Sequence, residues 1–517
     1  MDRRKFMGWM AAGAASGAVP VLAGAEGTVS EKESSKPNFL FIIADDMMYR
    51  TIHSLNNPEI HTPNLDKLVA NGCAFTHCFH QGAWSGAVCV PSRTMLNSGL
   101  TAFHALTGID RVHTWGQTMG AAGYDTFICG KWHLNPTLLQ KSFKELGPVG
   151  PGFLAPGNDF YTDEPSDNDG DHVNVPWSEN EAYFRPRPGG TWNPADRSLH
   201  GHWLQSDIVD AKLPREIRHS STIYADAVID YLTDKAAKRS TPFFVYMGFN
   251  APHDPRQAPQ EFLDLYQQDN IEVPPNFLPE HPFNIGSDTF GRDESLAPFP
   301  RTHEAVQLHR REYYAIISHM DHEIGRVLDA LERSSKAGNT YVVVTADHGL
   351  AVGEHGLMGK QNLYDCSIRM PLLISGPGVR TGVKVDELVY QHSMYATTCD
   401  LAGIPTPGTV QFPSIAPMLR GDYRPVHDAV FTWHRHTQRA IRTKTHKLIV
   451  YPEVHTIQLF DIERDPWEMH DLSGDPAMDK LKGELMEQLQ RMQKELGDMI
   501  HFVDPLRGVW TKLPRRA

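Results

Sequence analysis

The sequence of 517 residues predicts an α/β fold: a mostly parallel sheet flanked by helices, followed by a smaller C-terminal α+β subdomain. Three observations lead there. Near-continuous apolar runs occur at PNFLFIIADD (37–46), YDTFICGKWH (124–133), TPFFVYMGFNAPH (241–253) and TYVVVTADHG (340–349). They lack the alternation of half-exposed strands, as strands buried on both faces of a parallel sheet do. Helical patterns separate these runs, at 62–72, 221–238 and 312–334, so strands alternate with helices. From about residue 426 the pattern changes. HDAVFTWHRH, RAIRTKTHKLIVYP and IQLFDIERD resemble consecutive antiparallel strands, and 478–499 reads as an amphipathic helix.

Taken in order, residues 1–25 read as a Tat-type export signal. Arg3 and Arg4 form a twin-arginine pair, a short Ala- and Gly-rich apolar run follows, and Ala23-Gly24-Ala25 is a small-residue cleavage site. The run is too short to span a bilayer, no later segment is apolar enough to do so, and no cysteine near the cleavage site offers a lipid anchor. The reading is a periplasmic or secreted protein without a membrane anchor. Residues 36–425 read as the main catalytic domain and 426–517 as the C-terminal subdomain.

The net charge is −13, and a mature chain without Asp2, Arg3, Arg4 and Lys5 would carry about −15. That balance argues against nucleic acid as a partner. If the substrate is anionic, its positive pocket must be local. Six cysteines in a chain of this size do not form a disulfide scaffold. Cys73 and Cys78 read either as a pair or as buried thiols.

The helix at 62–72 starts with Thr62 as N-cap and Pro63 at the first helical position. Residues 146–215, rich in Gly, Pro, Asp, Trp and His, read as a long irregular insertion over the active face. Ligands of open α/β sheets bind at the C-terminal ends of the strands. Here each apolar run ends in a polar cluster: Asp45 and Asp46, Lys131 and His133, His253, and Asp347 with His348. Three carboxylates in one place repel unless a cation sits among them, and hard divalent cations prefer oxygen ligands. His348 leaves the metal's identity more open, because imidazole is not a favoured calcium ligand. Lys360 joins the set by sequence logic, thirteen residues beyond Asp347. A metal beside cationic side chains describes a pocket for a tetrahedral oxyanion, with groups for proton transfer. Cys89 stands where Pro91 could begin a helix, facing the positive end of the helix dipole. A thiolate nucleophile is one option there.

These residues carry a resemblance. Cys89-Val90-Pro91-Ser92-Arg93, closed by Gly99, resembles the signature of type I sulfatases. ADD (44–46), GKWH (130–133), PH (252–253), ADHG (346–349) and GK (359–360) follow in that family's order, and LFDIERDPWEMHDL (459–472) resembles its C-terminal segment. Two departures stand out. Asn97-Ser98-Gly99-Leu100 replaces the usual Leu-Thr-Gly-Arg, and the metal pair is Asp-His where many relatives have Asp-Asn. The resemblance implies an alkaline-phosphatase-like fold and a bacterial carbohydrate sulfatase. It also implies one calcium ion per chain, held by Asp45, Asp46, Asp347, His348 and the modified Cys89. Cys89 would be oxidised to formylglycine by a formylglycine-generating enzyme that requires Pro91 and Arg93. One hydroxyl of the hydrated aldehyde would attack sulfur while Lys131, Lys360 and His253 hold the sulfate. His253, with Lys360, would protonate the leaving alcohol. His133 would help deprotonate the second hydroxyl, and Arg93 would orient the formylglycine.

A sulfated carbohydrate is the expected substrate. Trp177, Trp192, Trp203, His200 and His202 of the insertion, and His434, Arg435 and His436 of TWHRH, are candidates to touch the sugar. Two rival readings stand beside this one. One is a phosphonate monoester or phosphodiester hydrolase of the same superfamily. The other is a catalytically silent sulfoglycan-binding protein.

Overall fold

The computed structural model describes residues 36–150, 208–209, 217–254, 256, 258–285, 292–297, 299–500 and 505–507. The expected signal (1–25), most of the expected insertion and its five Trp and His candidates lie outside the described residues.

The four apolar runs of the sequence are strands. β1 (Asn38–Asp45), β2 (Cys73–Phe79), β3 (Asp125–Lys131) and β4 (Glu145–Gly150) come first. β5 (Ile208–Val209) and β6 (Ile217–Arg218) pair with each other. β7 (Phe243–Pro252), β8 (Thr340–Ala346), β9 (Arg369–Ser375), β10 (Val383–Val385) and β11 (Val389–Tyr390) follow. The main sheet runs β10-β2-β9-β8-β1-β7-β3-β4, with β11 also on β2. β1 pairs in parallel with both β7 and β8, and β3 with both β7 and β4. β9 is antiparallel to β2 and β8. Every residue of β1, β7 and β8 is buried, as apolar runs without alternation require. Because β8, β1, β7 and β3 are adjacent and parallel, the polar groups that end them share one edge.

A second sheet, β12 (Val430–His434), β13 (Gln438–Arg442), β14 (His446–Tyr451) and β15 (Thr456–Asp461), is antiparallel throughout. The helix Asp479–Leu496 covers it with Leu485, Met486 and Leu489. Its core is shared with the main body: Phe79, Met95 and Leu363 join Val430, Ile441 and Leu448 in one buried cluster. Trp433 stacks on Phe103 at 4.3 Å between ring centroids.

The structure refines three expectations. Leu146–Gly150, read as the start of the insertion, belongs to β4. Its Gly and Pro residues are tolerated because, among the described residues, it is the edge strand next to β3. Thr62 is the N-cap of the helix Pro63–Asn71, with Pro63 at its start as expected, but its side chain makes no capping hydrogen bond. Its hydroxyl accepts from the His53 N–H, and Asp321 of the long helix His303–Glu332 accepts from Asn64 N and Leu65 N instead. Cys73 and Cys78 are buried thiols, and all six cysteines are free.

Candidate active site

The four strand ends converge. The nearest of the remaining elements is the helix Cys89–Ser98, which begins at Cys89 itself, two residues earlier than Pro91 suggests. Pro91 then occupies the first turn, where a missing N–H costs no helix hydrogen bond. The thiol sits at the positive end of the helix. The helix closes at Gly99 with a left-handed backbone (φ 69°), its N–H donating to Met95 O.

Two left-handed residues bring the strand ends inward. Asp46 has φ 68° and His133 has φ 60°. In an extended chain Asp45 and Asp46 would face opposite ways. The turn at Asp46 lets both carboxylates address the same centre. Asp45 Oδ2 accepts a short hydrogen bond from Lys131 Nζ, which also lies 3.7 Å from Cys89 Sγ. Asp347 Oδ2 accepts from Arg93 Nε at 2.9 Å, and Arg93 Nη1 donates to Lys131 O at 2.9 Å. Arg93 therefore ties the cysteine helix to both β8 and β3. A Cβ on Gly130 would stand 1.8 Å from Gly248 O, so the close approach of β3 and β7 beneath the site requires glycine.

Ligand atoms of Asp45, Cys89, Asp347 and His348, all buried, lie within 4.8 Å of one another. The donor set fits a divalent cation on three further grounds. Asp45 Oδ1 and His348 Nε2, both buried, have no hydrogen-bond partner. His348 Nδ1 lies 2.9 Å from Gly349 O and donates to it, which turns Nε2 toward the carboxylates of Asp46 and Asp347. Burial, then the neighbouring charge of Asp45, raises the Asp347 carboxyl to about 6 even with Arg93 beside it, so a further positive charge would be favourable there. Asp46 borders this group, with Oδ1 3.3 Å from His348 Nε2, and belongs to a second one with His253 and Asp254.

That second group sets cations against carboxylates. Lys360 Nζ donates to both Asp46 oxygens, at 2.8 and 2.9 Å. His253 Nε2 stands 3.6 Å from Asp46 Oδ2, and its Nδ1 3.0 Å from Asp254 Oδ1. Burial alone would lower the His253 pKa, but Asp46 with Asp254 and Asp45 carries it to about 9. Burial likewise pushes the Cys89 thiol up; Lys131 and then His133 outweigh it and hold the thiol well below its usual value. The structure thus gathers Asp45, Asp46, Cys89, Arg93, Lys131, His133, His253, Asp347, His348 and Lys360 on one edge. A positively lined, acid-floored pocket of this kind can hold a tetrahedral oxyanion against a nucleophile, with a protonated imidazole for the leaving group.

The TWHRH residues divide. Ala83 bridges His434, Ala83 N donates to Trp433 O at 2.8 Å, and Arg435 N to Ala83 O at 2.7 Å. The turn after β12 therefore lies against the chain six residues before Cys89. His434 is buried, Arg435 is half-buried, and His436 Nε2 pairs with Glu453 Oε1 at 2.6 Å.

Sequence reasoning passed over four residues that hold the pocket together. Asp254 follows His253 directly, and its position in PHD was a visible signal. Asp293 lies 3.8 Å from Lys360 Nζ. Glu294 accepts from Met358 N at 2.9 Å and Gly359 N at 3.0 Å, just before Lys360. Gln361 Nε2 donates at 2.9 Å both to Gly86 O and to Asp293 Oδ2, while Gln361 O accepts from Gln438 Nε2 at 2.9 Å. These three carry no motif.

Comparison with known proteins agrees with this arrangement. The family model described as Sulfatase matches residues 37–404, and the one described as N-sulphoglucosamine sulphohydrolase, C-terminal, matches 353–495. A "Sulfatase" of Formosa agariphila is 28% identical over 85% of this chain and 83% of its own. An N-acetylglucosamine-6-O-sulfatase of Bacteroides thetaiotaomicron is 25% identical over 90% and 88%. Among solved structures, one described in complex with its substrate D-glucosamine-2-N,6-O-disulfate has a TM-score of 0.67 at 21% identity, covering 92% of this chain and all of that one. The phosphonate monoester hydrolase of Silicibacter pomeroyi has a TM-score of 0.68 at 21% identity, over 90% and 96%. With the family model spanning most of the chain and every strand-end motif in place, the chain belongs to the sulfatase family, as a sulfuric ester hydrolase of alkaline-phosphatase-like fold.

Proposed function

We propose that the protein hydrolyses a sulfate ester on a sulfated carbohydrate, through formylglycine made from Cys89 and beside one calcium ion. The observation that carries this reading is the convergence of Asp45, Cys89, Asp347 and His348 next to Lys131, Lys360 and His253. The sugar-directed relatives, an N-acetylglucosamine-6-O-sulfatase and a structure holding a glucosamine disulfate, support the substrate class.

Asp45, Asp347 and His348, with Asp46 at their border, would hold the calcium, which when bound neutralises the carboxylates and polarises what lies beside Cys89. Formylglycine at position 89 would supply a hydrated aldehyde, whose paired hydroxyls suit nucleophilic attack and later release. The chain's own residues do the rest. Lys131 and Lys360 place positive charge against the sulfate oxygens. Arg93, held by Asp347, fixes the helix that presents the nucleophile. His253 Nε2 delivers a proton to the leaving alcohol, and His133 takes one from the site once the alcohol has gone. Arg435 and its neighbours reach the remote part of a larger substrate. The 1–25 segment would direct export to the periplasm or beyond, and a formylglycine-generating enzyme would act first on Cys89. Residues 36–425 would form the catalytic domain and 426–517 a subdomain completing its rim.

The test is turnover of an aryl sulfate and an aryl phosphonate side by side, together with the mass of the Cys89 peptide. The expected result is a preference for sulfate and a peptide about 18 Da lighter than the thiol form. A preference for phosphonate would move the protein to the phosphonate hydrolases. An unmodified thiol with no turnover would make it a binding protein.

A further inference from the structure

Nine Lys and Arg side chains are buried among the described residues: Arg93, Lys131, Arg256, Arg301, Arg310, Lys360, Arg439, Arg442 and Lys447. Eight of them lie within 4 Å of a carboxylate oxygen. Arg256, at 1% exposure, is the exception. Its Nε and Nη2 have no hydrogen-bond partner. Its Nη1 donates to His309 Nδ1 at 2.7 Å, a neutral acceptor, since His309 Nε2 donates to Leu296 O at 2.9 Å. A buried guanidinium with two unmet donors and no directly paired carboxylate is among the less favourable arrangements a protein holds, unless an anion arrives.

The nearby carboxyls do not fill the gap. Asp254 is held ionised and feels the charge of Arg256, but its Oδ1 faces His253 Nδ1 at 3.0 Å and it makes no ion pair with the guanidinium. Glu312 feels it too, but burial pushes its carboxyl up to about 7, so it is a weak counter-charge near neutral pH. Neither forms an ion pair with Arg256.

Its place is informative. Arg256 stands three residues beyond His253. Its Cζ lies 5.3 Å from the ring centroid of Tyr313, whose hydroxyl donates to Asp46 O at 2.6 Å. His309 links it to Leu296, in the short helix that carries Asp293 beside Lys360. The guanidinium thus packs among the elements that carry Asp46, His253 and Asp293, the last beside Lys360. It is no more buried than Lys131, Lys360 and His253, the groups assigned to the sulfate.

We propose that Arg256 is a specificity-determining residue that receives a second anionic group of the substrate, a carboxylate or another sulfate on the sugar that bears the scissile ester. The inference rests on the sulfatase reading above and narrows it to polyanionic carbohydrates. Two adjacent free N–H donors, Nε and Nη2, form the fork that binds such oxyanions in bidentate fashion.

The experiment compares wild type with Arg256→Gln and Arg256→Lys on two substrates. One is an activated aryl sulfate with a single anionic group, and the other a sulfated oligosaccharide bearing a second sulfate or a uronate. Arg256→Gln should lower kcat/KM on the oligosaccharide by about 10- to 100-fold more than on the aryl sulfate. Arg256→Lys should recover part of that loss. A third arm follows thermal stability with inorganic sulfate alone. Equal losses on both substrates would overturn the proposal. So would an ion effect that vanishes in Arg256→Gln while the substrate ratio stays unchanged, since the anion would then be a structural ion. Wild-type turnover of the aryl sulfate tests the sulfatase reading separately.

Discussion

Two buried ionic clusters, both built from strand ends and loops, behave in opposite ways. In the first, Asp365 and Glu468 meet Arg442 and Lys447. Lys447 Nζ donates to Asp365 Oδ1 at 2.7 Å and to Glu468 Oε1 at 2.6 Å, and Arg442 Nη2 sits 3.2 Å from Asp365 Oδ2. None of these side chains is left with a buried polar atom lacking a hydrogen bond. In the second, Asp45 Oδ1 and His348 Nε2 remain without hydrogen bonds around Cys89. The first cluster closes on itself and ties the second sheet to the main body. The second closes only when something else enters it. Buried charge alone does not mark a functional site, because such pairs are often structural. Buried charge with unmet bonding capacity does.

Four experiments would break or sharpen that contrast. The largest effect belongs to Cys89→Ala, which should reduce sulfatase turnover to background while unfolding free energy stays within about 1 kcal/mol. Retained turnover near wild type would end the formylglycine assignment. Exhaustive chelation should come next. It should remove activity and lower the melting temperature, both restored by calcium, because an ion bound only to the folded state stabilises it by about 2.7 kcal/mol at a hundredfold excess over its Kd. Full activity in a metal-free sample would refute the metal reading.

The closed cluster should respond in reverse. Lys447→Met takes from Glu468 its paired cation and from Asp365 one of several, so stability in denaturant should fall by about 3–5 kcal/mol. The kcat/KM of the folded enzyme on an aryl sulfate should hardly move; a loss of activity with unchanged stability would erase the distinction. Arg435→Ala is the mildest change. It should leave aryl sulfate turnover within about twofold of wild type and weaken only the larger glycan, because remote contacts act on the part of the substrate that aryl sulfates lack. Equal loss on both would place Arg435 among the groups that touch sulfate.

Much of this was legible in the sequence. β1, β7 and β8 declared themselves because a strand buried on both faces must be apolar throughout. The site declared itself because each such strand ended in charge. What escaped depended on contacts between distant segments. The ELGPVG of β4 reads as a loop until β3 is beside it. Thr62 takes the cap position, but the capping hydrogen bonds come from Asp321, in a helix about 250 residues away. Asp45 and Asp46 share a centre only through the left-handed backbone at Asp46, which adjacency in sequence does not reveal. Arg256 reads as one more loop cation, and only the pairing of the other eight makes it an exception.

Cys89, Pro91 and Arg93 are all buried in the finished fold. That burial sets an order of events in time. An enzyme that must grasp this stretch in an extended form finds it only while the chain is still open, or during rare openings of the helix and its neighbours. A molecule that folds before it is oxidised keeps its thiol sealed behind Lys131 and His133. If Cys89 is oxidised as proposed, production of the protein has a branch point, and the balance between folding speed and oxidation speed fixes what fraction of a preparation becomes active enzyme.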